Sequence, residues 1–183
     1  MISSLVGIIA SSGVGVAGGD YESISTVTVG AGGAGSVTFS SIPSTYQHLQ
    51  IRVTALSGAT YSEIQFNSDT GANYSYHQIL GPGAGSASAA GGGGTSQIYA
   101  LQMNNNTTYP TVGVIDVLDY ANTNKNKTVR LLAGNDTNGG GELYFRSGGW
   151  FNTSAINSIK ISALAGTALF NQYSSFALYG IKG

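Results

Sequence analysis

The stretch Ile42–Leu56, IPSTYQHLQIRVTAL, decides the fold class. From His48 onward the odd positions Leu49, Ile51, Val53 and Ala55 are apolar, whereas His48, Gln50, Arg52 and Thr54 are polar. A period of two is the pattern of a strand with one buried and one wet face. Pro43 has a fixed φ and no N–H to donate, so it belongs to the turn before the strand and not inside a ladder. Slipping the register by one residue would bury Arg52 and expose Leu49, Ile51 and Val53, so the strand specifies its own pairing.

Working outward, strands of the same style recur with turn residues between them, at the spacing of an all-β domain. Before the opening stretch lie Ser23–Val29 and Ser36–Ile42, separated by the glycine turn at 30–35. After it come Tyr61–Asn67, Asn73–Leu80, Thr95–Met103, Val112–Tyr120, Lys127–Ala133, Glu142–Arg146, Ile156–Ala163 and Tyr173–Ile181. No segment carries a helical stripe. The expected fold is an all-β antiparallel sandwich of jelly-roll type with about ten strands. Residues 81–94, GPGAGSASAAGGGG, have no periodicity and nothing large to bury, and the sequence predicts a mobile loop there.

The chain has 183 residues, enough for one domain with a genuine core. The expected division is a single β-sandwich domain over 21–183 and an extended N-terminal arm over 1–20. Within the arm, Leu5, Val6, Ile8, Ile9, Val14 and Val16 are the candidate partner-binding residues, packing on a neighbouring subunit or on the arm's own domain. The competing reading of the arm is a cleaved secretory signal, against which stands the absence of Lys or Arg before its short apolar run. That run is too short to span a membrane.

Charged residues make up 8% of the sequence, against about 25% in ordinary soluble domains. With a net charge of −1, copies repel one another weakly, a composition suited to close packing in an assembly. The basic residues are scattered except at Lys125, Lys127 and Arg130, which read as a solvated turn entering a strand. Nucleic acid is therefore not an expected partner. There is no cysteine, and so neither a disulfide framework nor thiolate chemistry.

The glycine-rich 81–94 segment fails as a phosphate cradle, because no Lys or Arg lies between Arg52 and Lys125 and no helix follows. His48 and His77 lack the company of further ligands at zinc spacing. A hydrolytic triad can be assembled only by counting, since no GxSxG elbow is present. Asp116 and Asp119, three apart on one expected strand, would point to opposite faces and cannot work as an acid–base pair within it. The turns at Asp69 and at Asn135-Asp136 lack the spaced acids of a calcium loop. Neither an enzyme nor a cofactor is expected. Eleven tyrosines suit sheet faces and rims first, intersubunit contacts next and sugar stacking last.

The run Tyr21–Leu56, YESISTVTVGAGGAGSVTFSSIPSTYQHLQIRVTAL, together with Phe176–Gly183, FALYGIKG, resembles small virion structural proteins of tailed bacteriophages, cyanophages included. These are capsid-decorating, cement or fibre-associated proteins. The resemblance covers about a quarter of the chain and carries no catalytic residue. It implies a capsid cement or decoration protein on the outer capsid surface of the virion, homotrimeric, with the major capsid protein as partner. The alternative is a tail-fibre or receptor-binding module that holds host glycans.

Overall fold

The computed structural model describes residues 19–164 and 168–183. The arm residues Leu5, Val6, Ile8, Ile9, Val14 and Val16 lie outside the described residues. Among those described, twelve strands form and no helix: β1 (Tyr21–Thr28), β2 (Ser36–Phe39), β3 (His48–Ala55), β4 (Tyr61–Phe66), β5 (Tyr74–Pro82), β6 (Ser88–Thr95), β7 (Ile98–Gln102), β8 (Thr111–Leu118), β9 (Lys127–Asp136), β10 (Gly141–Trp150), β11 (Ile159–Leu164) and β12 (Ser175–Ile181). They make two sheets in which every pairing is antiparallel. The larger runs β1-β12-β3-β8-β9-β10-β5-β6 and the smaller β2-β11-β4-β7.

The pairings are nested. β1 pairs β12, β2 pairs β11, β3 pairs β8 and β4 pairs β7, so the outermost strands in sequence meet first and the innermost last. Two hairpins, β5–β6 and β9–β10, are added to this frame and widen only the larger sheet. The His48–Ala55 alternation is realised in β3, with Leu49, Ile51, Val53 and Ala55 all buried between the sheets. β3 lies between β12 and β8, and its apolar face meets the smaller sheet, whose Ile64, Phe66, Ile159 and Ile161 are buried from the other side.

Several sequence expectations need correction. Residues 81–94 are not a loop: β5 runs through Pro82 and β6 occupies Ser88–Thr95, so only 83–87 turn. An edge strand needs backbone pairing on one side alone, and rings from β5 take the place of its missing side chains. A Cβ at Gly91 would lie 2.5 Å from the His77 ring, and one at Gly92 3.2 Å from the Tyr76 ring. The strand expected at Glu142–Arg146 extends to Trp150, because Gly148 gives Ile98 of β7 the room it fills; a Cβ there would sit 2.7 Å from it. Asp119 is not on β8 but follows it in the left-handed region, at φ 48°.

Lys127 departs most from expectation, being buried rather than solvated. Its ammonium donates to the carbonyls of Asn122 (2.6 Å), Lys125 (3.0 Å) and Thr153 (3.0 Å), which spends all three protons and joins the β8–β9 turn to the chain after β10. Arg146 is buried too. It donates to the Ala100 carbonyl and the Gln78 amide oxygen, and its guanidinium lies 5.9 and 5.3 Å from the ring centres of Tyr76 and Tyr144. Carbonyl oxygens and ring faces thus stand in for a carboxylate.

At one end of the sandwich Trp150, Phe66 and Tyr74 pack ring to ring, with centroids 5.6 to 6.3 Å apart. The indole N–H of Trp150 donates to Asp69 (2.7 Å), whose carboxylate also accepts from the Gly71 N–H and the Asn73 amide. The Asp69 turn therefore clamps the β4–β5 connection onto β10. The Trp150 bond, followed by those of Asn73 and Gly71, holds the Asp69 carboxyl below its usual range.

Lys127→Met keeps the apolar stem but strands buried carbonyls, and is expected to cost about 2–4 kcal/mol in urea unfolding. Because the folded-state pKa of Asp69 is depressed, its contribution is complete above the unfolded value near 3.9 and is lost as pH falls through the folded one. Stability should decline below about pH 4, read by fluorescence of Trp150, the only tryptophan. Asp69→Asn should be less stable at neutral pH and show a shallower acid decline.

Candidate interaction surface

The two sheets differ in their outer faces. On the smaller sheet the outward rows are polar: Lys160 lies between Thr38 and Gln65, and Ser162 between Ser36 and Glu63. On the larger sheet one outward row reads Arg52, Val114, Leu132, Phe145, Ile79 across β3, β8, β9, β10 and β5. The next row reads Thr54, Val112, Gly134, Leu143, Gly81. Six large apolar side chains therefore face solvent on neighbouring strands, with Ile79 61%, Leu143 60% and Leu132 53% exposed. The strands carrying them are apolar on both faces, the pattern of a sheet that is covered twice.

Relief follows from this arrangement. With only glycine at positions 81 and 134 beside Leu143, the row dips and forms a groove of about 940 Å³ floored by Val112, Val114, Leu132 and Leu143. Asp136 also lines it, whereas the neighbouring Glu142 turns its carboxylate to the inner face, where Gln102 and Asn104 donate to it. Burial raises the Glu142 carboxyl above its usual range, although Asn104 donates to it at 2.7 Å. A second groove of about 480 Å³ adjoins it between β10 and β6, bounded by Ile79, Phe145, His77 and Ala89.

The third outward row is polar: Tyr179, Gln50, Asp116, Arg130, Ser147, His77. Its β12–β3 end holds an aromatic cluster. Tyr21 and Tyr179 stand 5.0 Å apart, and the Arg52 guanidinium lies 5.2 Å from each ring centre. Gln50 ties the cluster to β8, accepting from Tyr21 and Arg52 and donating to Asp116 at 2.9 Å. Asp116 is thus a hydrogen-bond acceptor on the outer face of the sheet.

The structure brings His48 and Asp119 together, with His48 Nδ1 3.6 Å from an Asp119 carboxylate oxygen, and keeps His77, Asp116 and Asp69 apart from them. His48 accepts the Asp119 N–H at 3.0 Å, and Asp119 forms an ion pair with Lys125 that lowers its carboxyl pKa. His77 lies across Gly91 at the other side of the sheet. No hydroxyl joins either histidine among the described hydrogen bonds. Nor does any group of three His, Asp or Glu suited to a metal occur among the described residues. Of the tyrosines, Tyr74, Tyr120 and Tyr144 are buried with their hydroxyls bonded to backbone, and Tyr61, Tyr76 and Tyr99 form a ring cluster between β4, β5 and β7.

The near-continuous apolar run Val112–Tyr120 is the one signal of this face in the sequence, reading as a strand that is central or covered by a neighbouring subunit; the contributions of Leu132, Leu143, Phe145 and Ile79 are not legible there. Comparison of the chain with protein-family models, curated proteins and solved structures gives no match.

The two faces of the larger sheet predict opposite responses. Ile115→Ala, inside the sandwich, should cost about 2–5 kcal/mol. Leu132→Lys and Phe145→Lys, outside it, should stay within about 0.5 kcal/mol of the wild type while reducing binding of a hydrophobic dye.

Proposed function

We propose that this chain is a structural virion protein, a capsid cement or decoration protein that binds the outer capsid surface and stabilises contacts between major capsid subunits. The observation that carries the reading is the apolar outer face of the larger sheet on a chain with almost no charge. Contiguous apolar faces of this kind are interaction surfaces, and weak self-repulsion permits dense packing on a shell. In this reading Val112, Val114, Leu132, Leu143, Phe145 and Ile79 supply the core of the contact with the major capsid protein. The arm residues Leu5 to Val16 wrap a neighbouring copy in a trimer. The work is mechanical: area buried across subunit boundaries opposes expansion of the shell.

The jelly-roll designation belongs to the same proposal. The nested couples β1–β12, β2–β11, β3–β8 and β4–β7 support it, since an eight-stranded hairpin rolled into two sheets pairs its strands in that order. β5–β6 and β9–β10 are then insertions that broaden the binding face.

A second reading rests on the Tyr21–Arg52–Tyr179 cluster. Exposed rings with Gln50 and Asp116 beside them suit a sugar face and its hydroxyls, as a tail-fibre or receptor-binding module would need.

Quantitative mass spectrometry of purified particles of the encoding phage separates the two. Hundreds of copies per particle, falling on Leu132→Lys/Phe145→Lys, are expected. A handful of copies, with glycan binding lost in Tyr21→Ala/Tyr179→Ala, would overturn the capsid reading.

A further inference from the structure

We infer that the β6 edge of the larger sheet is a self-association site, at which β6 of a second copy pairs with it antiparallel about a two-fold axis. The inference stands on the backbone of β6 and not on the capsid reading. β6 is the last strand of its sheet and pairs only with β5. In antiparallel geometry every second residue turns its N–H and C=O away from the neighbour, so half of this eight-residue strand offers unpaired groups outward.

Its sequence, SAAGGGGT, has no charge, no proline and no side chain longer than threonine. Its one irregularity is a register shift against β5 at Gly94, where φ is 65°; from Ser88 to Gly93 the edge carries none of the devices that keep sheet edges apart. The opposite edge of the same sheet has them: β1 is broken by a bulge between Ser23 and Ser25, and Glu22 on it binds Lys182 and the Tyr46 hydroxyl. In the smaller sheet the edge strands β2 and β7 have only four and five residues. The sheet is thus guarded at one end and open at the other.

A second copy fits this edge better than a foreign strand. A two-fold contact needs one surface complementary to itself, and a strand of glycine and alanine meets its own copy without a side-chain clash. With a net charge of −1, the copies approach almost without repulsion. The partner would also extend the apolar face. Ile79 on β5 pairs with Ala89 on β6, so two-fold pairing places the rows Val114, Leu132, Phe145, Ile79 of both copies in one continuous sheet. The His77 and Tyr76 rings cover Gly91 and Gly92 on opposite faces of the sheet, whereas a Cβ at Gly93 would meet nothing within 4 Å and leaves room for a substitution there.

The test is the mass of the full chain by light scattering over a concentration series, for wild type, Ala89→Lys and Gly93→Lys. Either lysine brings two charges of one sign into the two-fold contact and leaves the β5 pairing intact. The expected result is a particle of even subunit number whose mass is halved by each lysine, with circular dichroism unchanged and a Tm that no longer rises with protein concentration. Hydrogen exchange of the wild type gives a second measure, in which β6 amides are protected at high concentration and released on dilution. A wild type that stays monomeric, or a mass that neither lysine changes, overturns the inference while leaving the capsid reading to its own test. So does exchange at β6 that is independent of concentration.

Discussion

Nested pairing is the constraint on which the rest of the structure depends. Once β1 pairs β12, β2 pairs β11, β3 pairs β8 and β4 pairs β7, two sheets must lie face to face with the apolar phase of each strand turned inward. Free growth is then possible mainly beyond β8, and there the chain adds β9, β10, β5 and β6 to one sheet alone. The unequal widths of the sheets follow. So do the broad outer face and the side-chain-poor edge, because both lie on the added strands.

The strands with a single buried face were legible in the sequence. Leu49, Ile51, Val53 and Ala55 alternate without interruption and are buried as that alternation requires. Legibility failed where one residue served an unusual purpose. Lys127 and Arg146 occupy inward positions, and a pattern of apolar against polar residues has no means of marking a cation whose protons are taken up by carbonyls on distant segments. The glycines of β6 failed for the opposite reason. Their coverage comes from Tyr76 and His77 on another strand, so the local sequence holds only the vacancy and not what fills it. The apolar outer face was half-legible. Val112 and Val114 stand out in a run apolar on both sides, but joining them to Leu132, Phe145 and Ile79 needs the register of three ladders.

Charge is used sparingly and almost always to fix a connection. Asp69 clamps a turn to Trp150, Asp119 pairs with Lys125 at the β8–β9 turn, and Glu22 with Lys182 joins the two terminal strands. Little formal charge is left for the surface between these points. What the larger sheet offers to other molecules is therefore shape and apolar area over two rows, bordered by the polar row from Tyr179 through Asp116 and Arg130 to His77.

The place of β12 between β1 and β3 also sets a schedule. A ribosome makes this chain from the first strand to the last, yet the first strand can join the sheet only after the last has been made. Until Ser175–Ile181 leaves the exit tunnel, β1 has no neighbour and β3 is paired on one side only. The larger sheet thus closes only once β12 has emerged, and the pairing that closes it joins strands more than 140 residues apart, the kind of contact that folds slowly. A nascent copy therefore remains a partial sheet with an open slot between β1 and β3 until β12 arrives, and a chain that lacks β12 would keep that slot.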